Sequence, residues 1–293
     1  MTDWTEELLA PGLRLSYGVN RVLAQTHTPH QQLTLIENDQ FGRVMLLDGV
    51  TQVTTADEFI YHEMLAHVPL FAHGDVRDVL IIGGGDCGLA EEVLKHESVR
   101  RVFQVEIDVA VVSSARRHLG AINAAVFEDE RFHLRIEDGV RFVDGLTESF
   151  DAVLVDSTDP IGPAAKLFSA EFYRNIRRCL RVRGVLAVQA GVPFLQREAF
   201  ASTVSNLASV FKFAGCYLLA SPSYIGGHLA IGWASDCLRL DRPSVDRLEQ
   251  RVAKSGLGLR YYSSAMHRAA FVLPPYIAEP VKGCIARPEG AGP

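Results

Sequence analysis

The chain has 293 residues, of which 48% are hydrophobic and 22% are charged, and its net charge is −6. This composition excludes a largely disordered chain and supplies enough apolar residues for one large domain or two unequal ones. The acidic balance argues against nucleic acid as a partner and fits a cationic partner. No apolar run reaches the roughly 20 residues that a membrane helix needs, so we expect no membrane association.

The cysteines are five in number, widely scattered, and form no CxxC pair. The N-terminal segment MTDWTEELLA also lacks the basic and apolar regions of a signal peptide. These features predict a cytoplasmic protein with reduced thiols, without a disulfide framework or a zinc site.

The first part of the chain, residues 1–55, is predicted to form a small antiparallel β-domain. Apolar and β-branched residues mark its strands, and turn signals such as Asp48-Gly49 separate them. The predicted strands are residues 13–25, 32–36 and 43–47. Because so few strands bury little core, we expect the domain to pack on the rest of the chain or on another subunit.

Residues 56–293 are predicted to form the catalytic domain. A helix over residues 58–70 is expected to end at Pro69. Predicted strands then alternate with helices, which indicates a doubly wound parallel sheet. The strands are residues 78–83, 101–107, 132–136, 151–156 and 185–189, and the helices are 89–95, 109–118, 170–180 and 198–210. Strands at 217–220 and 228–233, a helix at 244–255, and a tail after about residue 282 that we expect to be flexible complete the chain.

Four of the predicted strands end in glycines or carboxylates. These ends are residues 83–88, 106–108, 137–139 and 156–160. In an open parallel sheet, ligands bind at the carboxyl ends of the strands. We therefore expect these four segments to form one binding site.

The segment Gly83-x-Gly85-x-x-Gly88 fits both a nicotinamide-dependent oxidoreductase and an adenosyl-group transferase. In either class, Glu106 lies about 20 residues further on, where an acid would bind a ribose diol. Asp86 favours the transferase, because a carboxylate over the helix N-terminus would repel a pyrophosphate and attract a cation. The oxidoreductase remains the alternative.

Three further acids lie at the strand ends. Asp156 and Asp159 bracket the loop after the fourth strand, where helix capping and turn formation explain such residues equally well. Together with Asp86 they favour a polycationic ligand. Asp138-Gly139 could bind an adenine amine, although such a pair more often forms only a turn. No metal is expected, since the histidines nearest to this region do not have the HExxH spacing.

Six segments, taken together and in order, resemble the spermidine synthase family, most closely its bacterial, putrescine-using branch. They are FGRVMLLDGVTQ (41–52), DEFIYHEMLAHVPL (57–70), VLIIGGGDCG (79–88), VEID (105–108), DSTDPIGPA (156–164) and YYSSAMHRAAFVLP (261–274). The resemblance covers about residues 15–281. It implies a Rossmann-like, doubly wound α/β sheet of the class I methyltransferase type after a small N-terminal antiparallel β-domain, in a homodimer or homotetramer.

The resemblance also implies a reaction. The aminopropyl group of the co-substrate decarboxylated S-adenosylmethionine would pass to putrescine, giving spermidine and 5′-methylthioadenosine without a cofactor. Asp156 matches the proton acceptor. The residues that match the donor-binding set are Gln31, Gly83, Gly85, Asp86, Glu106, Asp138, Gly139 and Pro163. The residues that match the polyamine-binding set are Tyr61, His62, Asp86, Asp156, Asp159, Gln189 and Tyr224.

The chain departs from the usual family pattern at several positions, of which Ser223 for a threonine before Tyr224 is the mildest. Cys87 stands where glycine is usual, Ala56 and Glu91 replace arginines, and Ala165 and Lys166 replace a glutamate and a serine. None of these changes removes an expected catalytic group, but they leave the acceptor open. The alternatives are an aminopropyltransferase that prefers cadaverine, agmatine or spermidine, and a non-catalytic polyamine or nucleoside sensor.

Overall fold

The structure is a computed structural model that describes residues 3–159 and 162–284, with the backbone alone at 162 and 163. Its N-terminal part contains six described strands: β1 (Asp3–Ala10), β2 (Leu13–Val19), β3 (Arg21–His27), β4 (Gln32–Asn38), β5 (Gly42–Leu47) and β6 (Val50–Thr54). β1 pairs with β2, and β3 to β6 form a second sheet. All of these pairings are antiparallel, as predicted.

The N-terminal strands differ from the prediction in three respects. The single strand predicted over residues 13–25 is broken at Asn20 into β2 and β3, which belong to different sheets. β1 and β6 were not predicted. Their buried positions include Glu7, Thr51 and Thr54, so the alternation of apolar and polar residues that marks a half-buried strand is missing.

The four-stranded sheet packs on the rest of the chain, as expected for a domain with little core of its own. Its buried face contacts the helices that follow the second central strand, through a cluster that includes Leu33, Leu35 and Met45 on one side and Val111 and Ala115 on the other. This contact fixes the N-terminal domain beside the carboxyl edge of the central sheet.

The larger part of the chain alternates strands and helices. Its described strands are β7 (Asp78–Gly83), β8 (Arg101–Glu106), β9 (Phe132–Ile136), β10 (Phe150–Asp156), β11 (Leu180–Gln189), β12 (Phe213–Leu219) and β13 (Leu229–Ser235). The helices are α1 (Glu58–His73), α2 (Gly88–Leu94), α3 (Val109–His118), α4 (Gly120–Asn123), α5 (Gly139–Phe142), α6 (Ala170–Cys179), α7 (Arg197–Val210), α8 (Val245–Ser255), α9 (Ser264–Ala270) and α10 (Pro275–Ala278). From residue 285 onward, the tail that was expected to be flexible lies outside the described residues.

The strands β7 to β13 form one sheet in the order β12-β13-β11-β10-β7-β8-β9. Five neighbouring strands are parallel, which confirms the Rossmann-like, doubly wound fold. At one edge, β13 pairs antiparallel with both β11 and β12, and the sequence predicts β12 and β13 as strands without a direction. A short loop without a helix joins them, and such a connection can only form an antiparallel pair. No helix in the described ranges is long and apolar enough to cross a membrane.

Helix α1 continues past Pro69 to His73, so the predicted helix end is wrong. A proline inside a helix costs about 3 kcal/mol because it removes one hydrogen bond and clashes with the preceding turn. Here the helix is buried along nearly its whole length, and packing outweighs that cost. It ends instead at Gly74, whose φ of 84° suits glycine and whose N–H donates to the Leu70 carbonyl at 2.8 Å.

Gly83, at the end of β7, is expected to be intolerant of any side chain. Its φ is +83°, and a Cβ there would lie 2.0 Å from the carbonyl oxygen of Asp156. Gly12 is a matched control, since its φ is +82° but a Cβ there would meet nothing within 4 Å. Gly12→Ala should cost about 1 kcal/mol from backbone strain alone. Gly83→Ala should cost at least about 3 kcal/mol in urea unfolding, and equal losses would contradict this reading.

Candidate active site

A cavity of about 590 Å³ lies at the carboxyl ends of β7, β8, β10 and β11. All four predicted strand-end segments contribute to its wall, which confirms that they converge. The N-terminal domain closes the other side through residues of β1, β5 and β6. Seven carboxylates stand among the described lining residues: Glu7, Asp48, Asp86, Glu106, Asp138, Asp156 and Asp159. Lys166 is the only lysine or arginine among them.

The glycine loop after β7 is held firmly against the end of β10. Gly83 and Gly84 both have positive φ, and the Gly84 N–H donates to the Asp156 carbonyl at 2.7 Å. The amide of Gln104, on β8, donates to the Gly83 carbonyl at 3.1 Å. Cys87 adopts φ +64°, a conformation that explains the usual glycine at this position, and burial raises the pKa of its thiol.

The carboxylate of Asp156, at the end of β10, has one oxygen that accepts a hydrogen bond and one that accepts none from the described residues. Its Oδ1 accepts the Tyr61 hydroxyl at 2.8 Å. Its Oδ2 is buried without a hydrogen-bond partner among the described residues. Burial and the charge of Asp86 raise the pKa of Asp156 to about 6, against the opposing effects of His62 and of the Tyr61 hydrogen bond. Such a carboxylate is ionised at pH 7 and is well suited to accept a proton.

His62 lies between two carboxylates. Its Nδ1 is 2.8 Å from Glu58 Oε2, and its Nε2 is 3.5 Å from Asp86 Oδ1. Burial alone would lower the pKa of His62, but the charge of Asp86 and the hydrogen bond and charge of Glu58 together raise it to about 10. His62 is therefore an imidazolium at pH 7. His62 is not among the described residues that line the cavity. It contacts Asp86 from the side that faces away from the cavity.

The ligand atoms of His62, Asp86 and Asp156 lie within 4.8 Å of one another, a spacing that could hold a metal ion. A protonated imidazole, however, has no lone pair to offer a metal. The two carboxylates therefore suit an ammonium ion better, because an ammonium donates hydrogen bonds and needs no ligand from His62.

The far end of the cavity is organised around Asp159. Its Oδ1 accepts the amide of Gln189 at 3.1 Å, and its Oδ2 accepts the amide of Gln196 at 2.6 Å. Gln189 was a sequence candidate, whereas Gln196 and Glu7 were missed. Glu7 lies on β1 and accepts the Thr51 N–H at 3.1 Å, and its pKa is raised by burial. Only the position of Gln196 immediately before α7, in the loop that follows β11, could have suggested it.

Two aromatic candidates line the same end. The rings of Tyr61 and Tyr224 meet edge to face, with centroids 5.9 Å apart. The Tyr224 hydroxyl donates to the carbonyl of Gln52 on β6. Tyr61 is buried and Tyr224 is partly buried, and together they form an apolar wall next to the carboxylates.

The opposite end carries the candidates for nucleoside binding. Burial raises the pKa of Glu106 to about 7, and its Oε1 accepts the Asp108 N–H at 2.9 Å. The Gln31 amide donates to Asp108 Oδ2 at 3.2 Å. Asp138 both lines the cavity and caps α5 by accepting the Val140 N–H at 2.8 Å.

Gly139 is a further candidate that lines this end. A Cβ on Gly139 would lie 2.5 Å from Ile82 Cγ2, so this position admits no side chain. The side chain of Pro163 lies outside the described residues.

The family model for the "Spermine/spermidine synthase domain" matches residues 58–243, and that for the "Spermidine synthase tetramerisation domain" matches residues 3–55. Polyamine aminopropyltransferase 1 of Pseudomonas aeruginosa is 45% identical over 281 residues, which cover 96% of this chain and 98% of that protein. Polyamine aminopropyltransferase of Escherichia fergusonii is 46% identical over 263 residues, which cover 90% and 91%.

Solved structures agree with the sequence relatives. A spermidine synthase in complex with the transition state analogue AdoDATO superposes with a TM-score of 0.91 at 34% identity, covering 96% of this chain and 95% of that chain. The spermidine synthase from Thermotoga maritima gives a TM-score of 0.90 at 34% identity, covering 96% and 94%.

Asp156→Asn should stabilise the folded protein at neutral pH. The folded-state pKa of about 6 exceeds the ordinary aspartate value of 3.8, so the ionised carboxylate is disfavoured by folding. This penalty is absent below pH 3.8, grows between pH 3.8 and 6, and is complete above pH 6. We expect the variant to gain up to about 3 kcal/mol of unfolding free energy at pH 7, and much less near pH 4. A variant that is less stable at pH 7, by denaturant titration, would contradict this assignment.

Proposed function

The chain belongs to the spermidine synthase family and is a polyamine aminopropyltransferase, and on this basis we propose that it transfers the aminopropyl group of decarboxylated S-adenosylmethionine to putrescine. The observation that carries the proposal is the buried, unpartnered oxygen of Asp156 in a cavity lined by seven carboxylates. A diamine dication would supply positive charge and a hydrogen-bond donor for the unpartnered Asp156 Oδ2.

The reaction requires a free amine lone pair. Alkylamines have a pKa near 10.4, by analogy with lysine, and are almost fully protonated at pH 7. Asp156 Oδ2 takes one proton from the attacking ammonium, and the freed lone pair forms a bond to the aminopropyl carbon next to sulfur. The carbon–sulfur bond breaks, and its electron pair neutralises the sulfonium to give the thioether 5′-methylthioadenosine.

Burial of Asp156 assists the proton transfer. Transfer from an ammonium to a carboxylate is uphill by the difference between their pKa values. Raising the pKa of Asp156 from 3.8 to about 6 reduces this difference. The gain is about 3 kcal/mol, at roughly 1.4 kcal/mol per pKa unit. The remaining acceleration comes from holding the nitrogen, carbon and sulfur in line.

Each end of the cavity has a proposed ligand. At the nucleoside end, Glu106 accepts from the ribose, while Gln31 and the Asp138-Gly139 turn contact the nucleoside with Pro163. At the amine end, Asp159 anchors the distal ammonium of putrescine, and Gln189 and Gln196 hold that carboxylate in place. Tyr61 and Tyr224 enclose the methylene chain, and His62 pairs with Asp86.

Two alternatives of different class do not hold. The glycine pattern also fitted a nicotinamide-dependent oxidoreductase, but membership of an aminopropyltransferase family overturns that interpretation. The same membership argues against a non-catalytic sensor. A different acceptor amine remains the second candidate, because the unusual Lys166 lies on the cavity wall.

We also propose that the protein is a cytoplasmic homo-oligomer. The N-terminal sheets expose large apolar side chains, with Trp4, Leu8 and Val22 at 64%, 67% and 52% exposure, and a second copy of the chain would cover them. The five cysteines are free in the described residues, which suits a reducing compartment.

The test of function is release of 5′-methylthioadenosine from decarboxylated S-adenosylmethionine with putrescine, cadaverine, agmatine or spermidine as acceptor. We expect putrescine to give the highest kcat/KM. Asp156→Asn should lower kcat about 10²–10⁴-fold, whereas Asp144→Asn, at an exposed carboxylate, should leave it unchanged. If another amine gives the highest kcat/KM, the aminopropyl transfer still stands and that amine replaces putrescine as the acceptor. No turnover with any amine would overturn the proposal.

Asp86 is expected to select the decarboxylated donor. Its carboxylate attracts the donor's aminopropyl ammonium and would repel the carboxylate of intact S-adenosylmethionine. Asp86→Asn should therefore reduce the preference for the decarboxylated form about tenfold or more. Asp138→Asn, at the nucleoside end that both donors share, should weaken both equally. Competition assays with the two donors measure this ratio, and an unchanged ratio in Asp86→Asn would refute the role.

A further inference from the structure

Asp57 stands at the N-cap position of α1 but does not cap that helix. An aspartate there usually accepts a backbone N–H from the first turn, and no such bond is present. The side chain is 4% exposed and points elsewhere. Its Oδ1 accepts the Thr54 hydroxyl at 2.6 Å, and its Oδ2 accepts the Ser221 hydroxyl at 2.8 Å and the Ser223 N–H at 2.7 Å.

The segment that Asp57 holds, residues 221–225 between β12 and β13, is part of the cavity wall. Ser223, Tyr224 and Ile225 all line the cavity. The segment has a second attachment, because the Tyr224 hydroxyl donates to the Gln52 carbonyl. Asp57 and Gln52 both belong to the short stretch from β6 to α1, so this stretch fixes the segment at two points.

No lysine, arginine or histidine pairs with Asp57 among the ion pairs of the described residues. Its buried carboxylate is instead satisfied by three hydrogen bonds, two of them from the 221–225 segment. Hydrogen bonds to a charged acceptor are about twice as strong as neutral ones. Losing them would leave the buried Ser221 hydroxyl and Ser223 N–H without their acceptor and release the segment.

We propose that Asp57 is a positioning residue that holds Tyr224 in place and thereby sets the affinity for the amine acceptor. The inference rests on the proposed binding of the amine between Tyr61 and Tyr224. Asp57 touches no substrate itself. It acts by keeping the wall of the amine end rigid, and the nucleoside end does not depend on it.

Glu63, six residues further along α1, provides a matched control. Its carboxylate is 2% exposed and accepts the backbone N–H groups of Arg260, Tyr261 and Tyr262 at 2.8, 2.8 and 2.7 Å. It therefore ties a distant segment to the same helix through the same kind of bond. That segment contributes no residue to the described cavity wall. Asp57→Asn and Glu63→Gln thus each replace a buried carboxylate by an amide, but only Asp57→Asn loosens a segment that lines the cavity.

The experiment compares KM for the amine and for the donor, using the acceptor that the wild type turns over best. Asp57→Asn should raise KM for the amine about tenfold or more, with KM for the donor changed less than about twofold. Glu63→Gln should change neither constant, although it destabilises the fold. If Asp57→Asn does not fold, Ser221→Ala, which removes one bond to Asp57, should give a smaller change in the same direction.

Hydrogen exchange supplies a readout that needs no turnover. Without ligand, the amides of residues 223–225 should exchange faster in Asp57→Asn than in the wild type or in Glu63→Gln. Unchanged exchange, or an equal rise of KM for donor and amine, would overturn the inference. If no amine is turned over, the proposed function fails while the exchange comparison still decides whether Asp57 holds the segment.

Discussion

Repulsion between two buried carboxylates, Asp86 and Asp156, governs the charge balance of the site. Among the described residues, the cation that stands against them is the His62 imidazolium, and Glu58 engages it on its other side. Three carboxylates thus face one cation, and negative charge is left in excess at this site. Burial and the charge of Asp86 together raise the pKa of Asp156, and a cationic substrate would offset the part due to Asp86. The arrangement favours binding of the ligand over stability of the empty protein.

Helix α1 carries much of this arrangement. It is almost wholly buried, so each of its polar side chains needs a partner inside the protein. Tyr61 faces Asp156, His62 faces Asp86, and Glu63 binds the backbone of a distant segment. Asp57, at its start, holds the Tyr224 wall. The helix can continue through Pro69 because these long-range contacts and its packing, rather than its own hydrogen bonds, determine its length.

The sequence predicted the strand ends well because topology alone brings them together. Glycines and acids after β7, β8, β9 and β10 must meet at one edge of a parallel sheet, wherever the remaining chain lies. Gln196, Glu7 and Asp57 were not predicted, since each acts through partners more than 30 residues away in the chain. No periodicity or local motif encodes such pairs. The same reason explains the missed strand β1, whose inward residue is a carboxylate bonded to another strand.

Burial raises the pKa of one carboxyl at each end of the cavity, and the consequence differs between the two ends. At the amine end, a bound ammonium offsets the repulsion between Asp86 and Asp156, while the burial that raises the pKa of Asp156 persists. At the nucleoside end, the ribose that we propose as the partner of Glu106 brings only hydroxyl groups, and the pKa of about 7 means that this carboxyl is near half ionised at neutral pH. Hydroxyl donors stabilise the ionised form, so donor binding would release a fraction of a proton from Glu106. Protons thus leave the nucleoside end on binding, whereas at the amine end Asp156 takes one up as the reaction proceeds. Because burial sets both pKa values, closure of the cavity by the N-terminal domain controls binding and chemistry together.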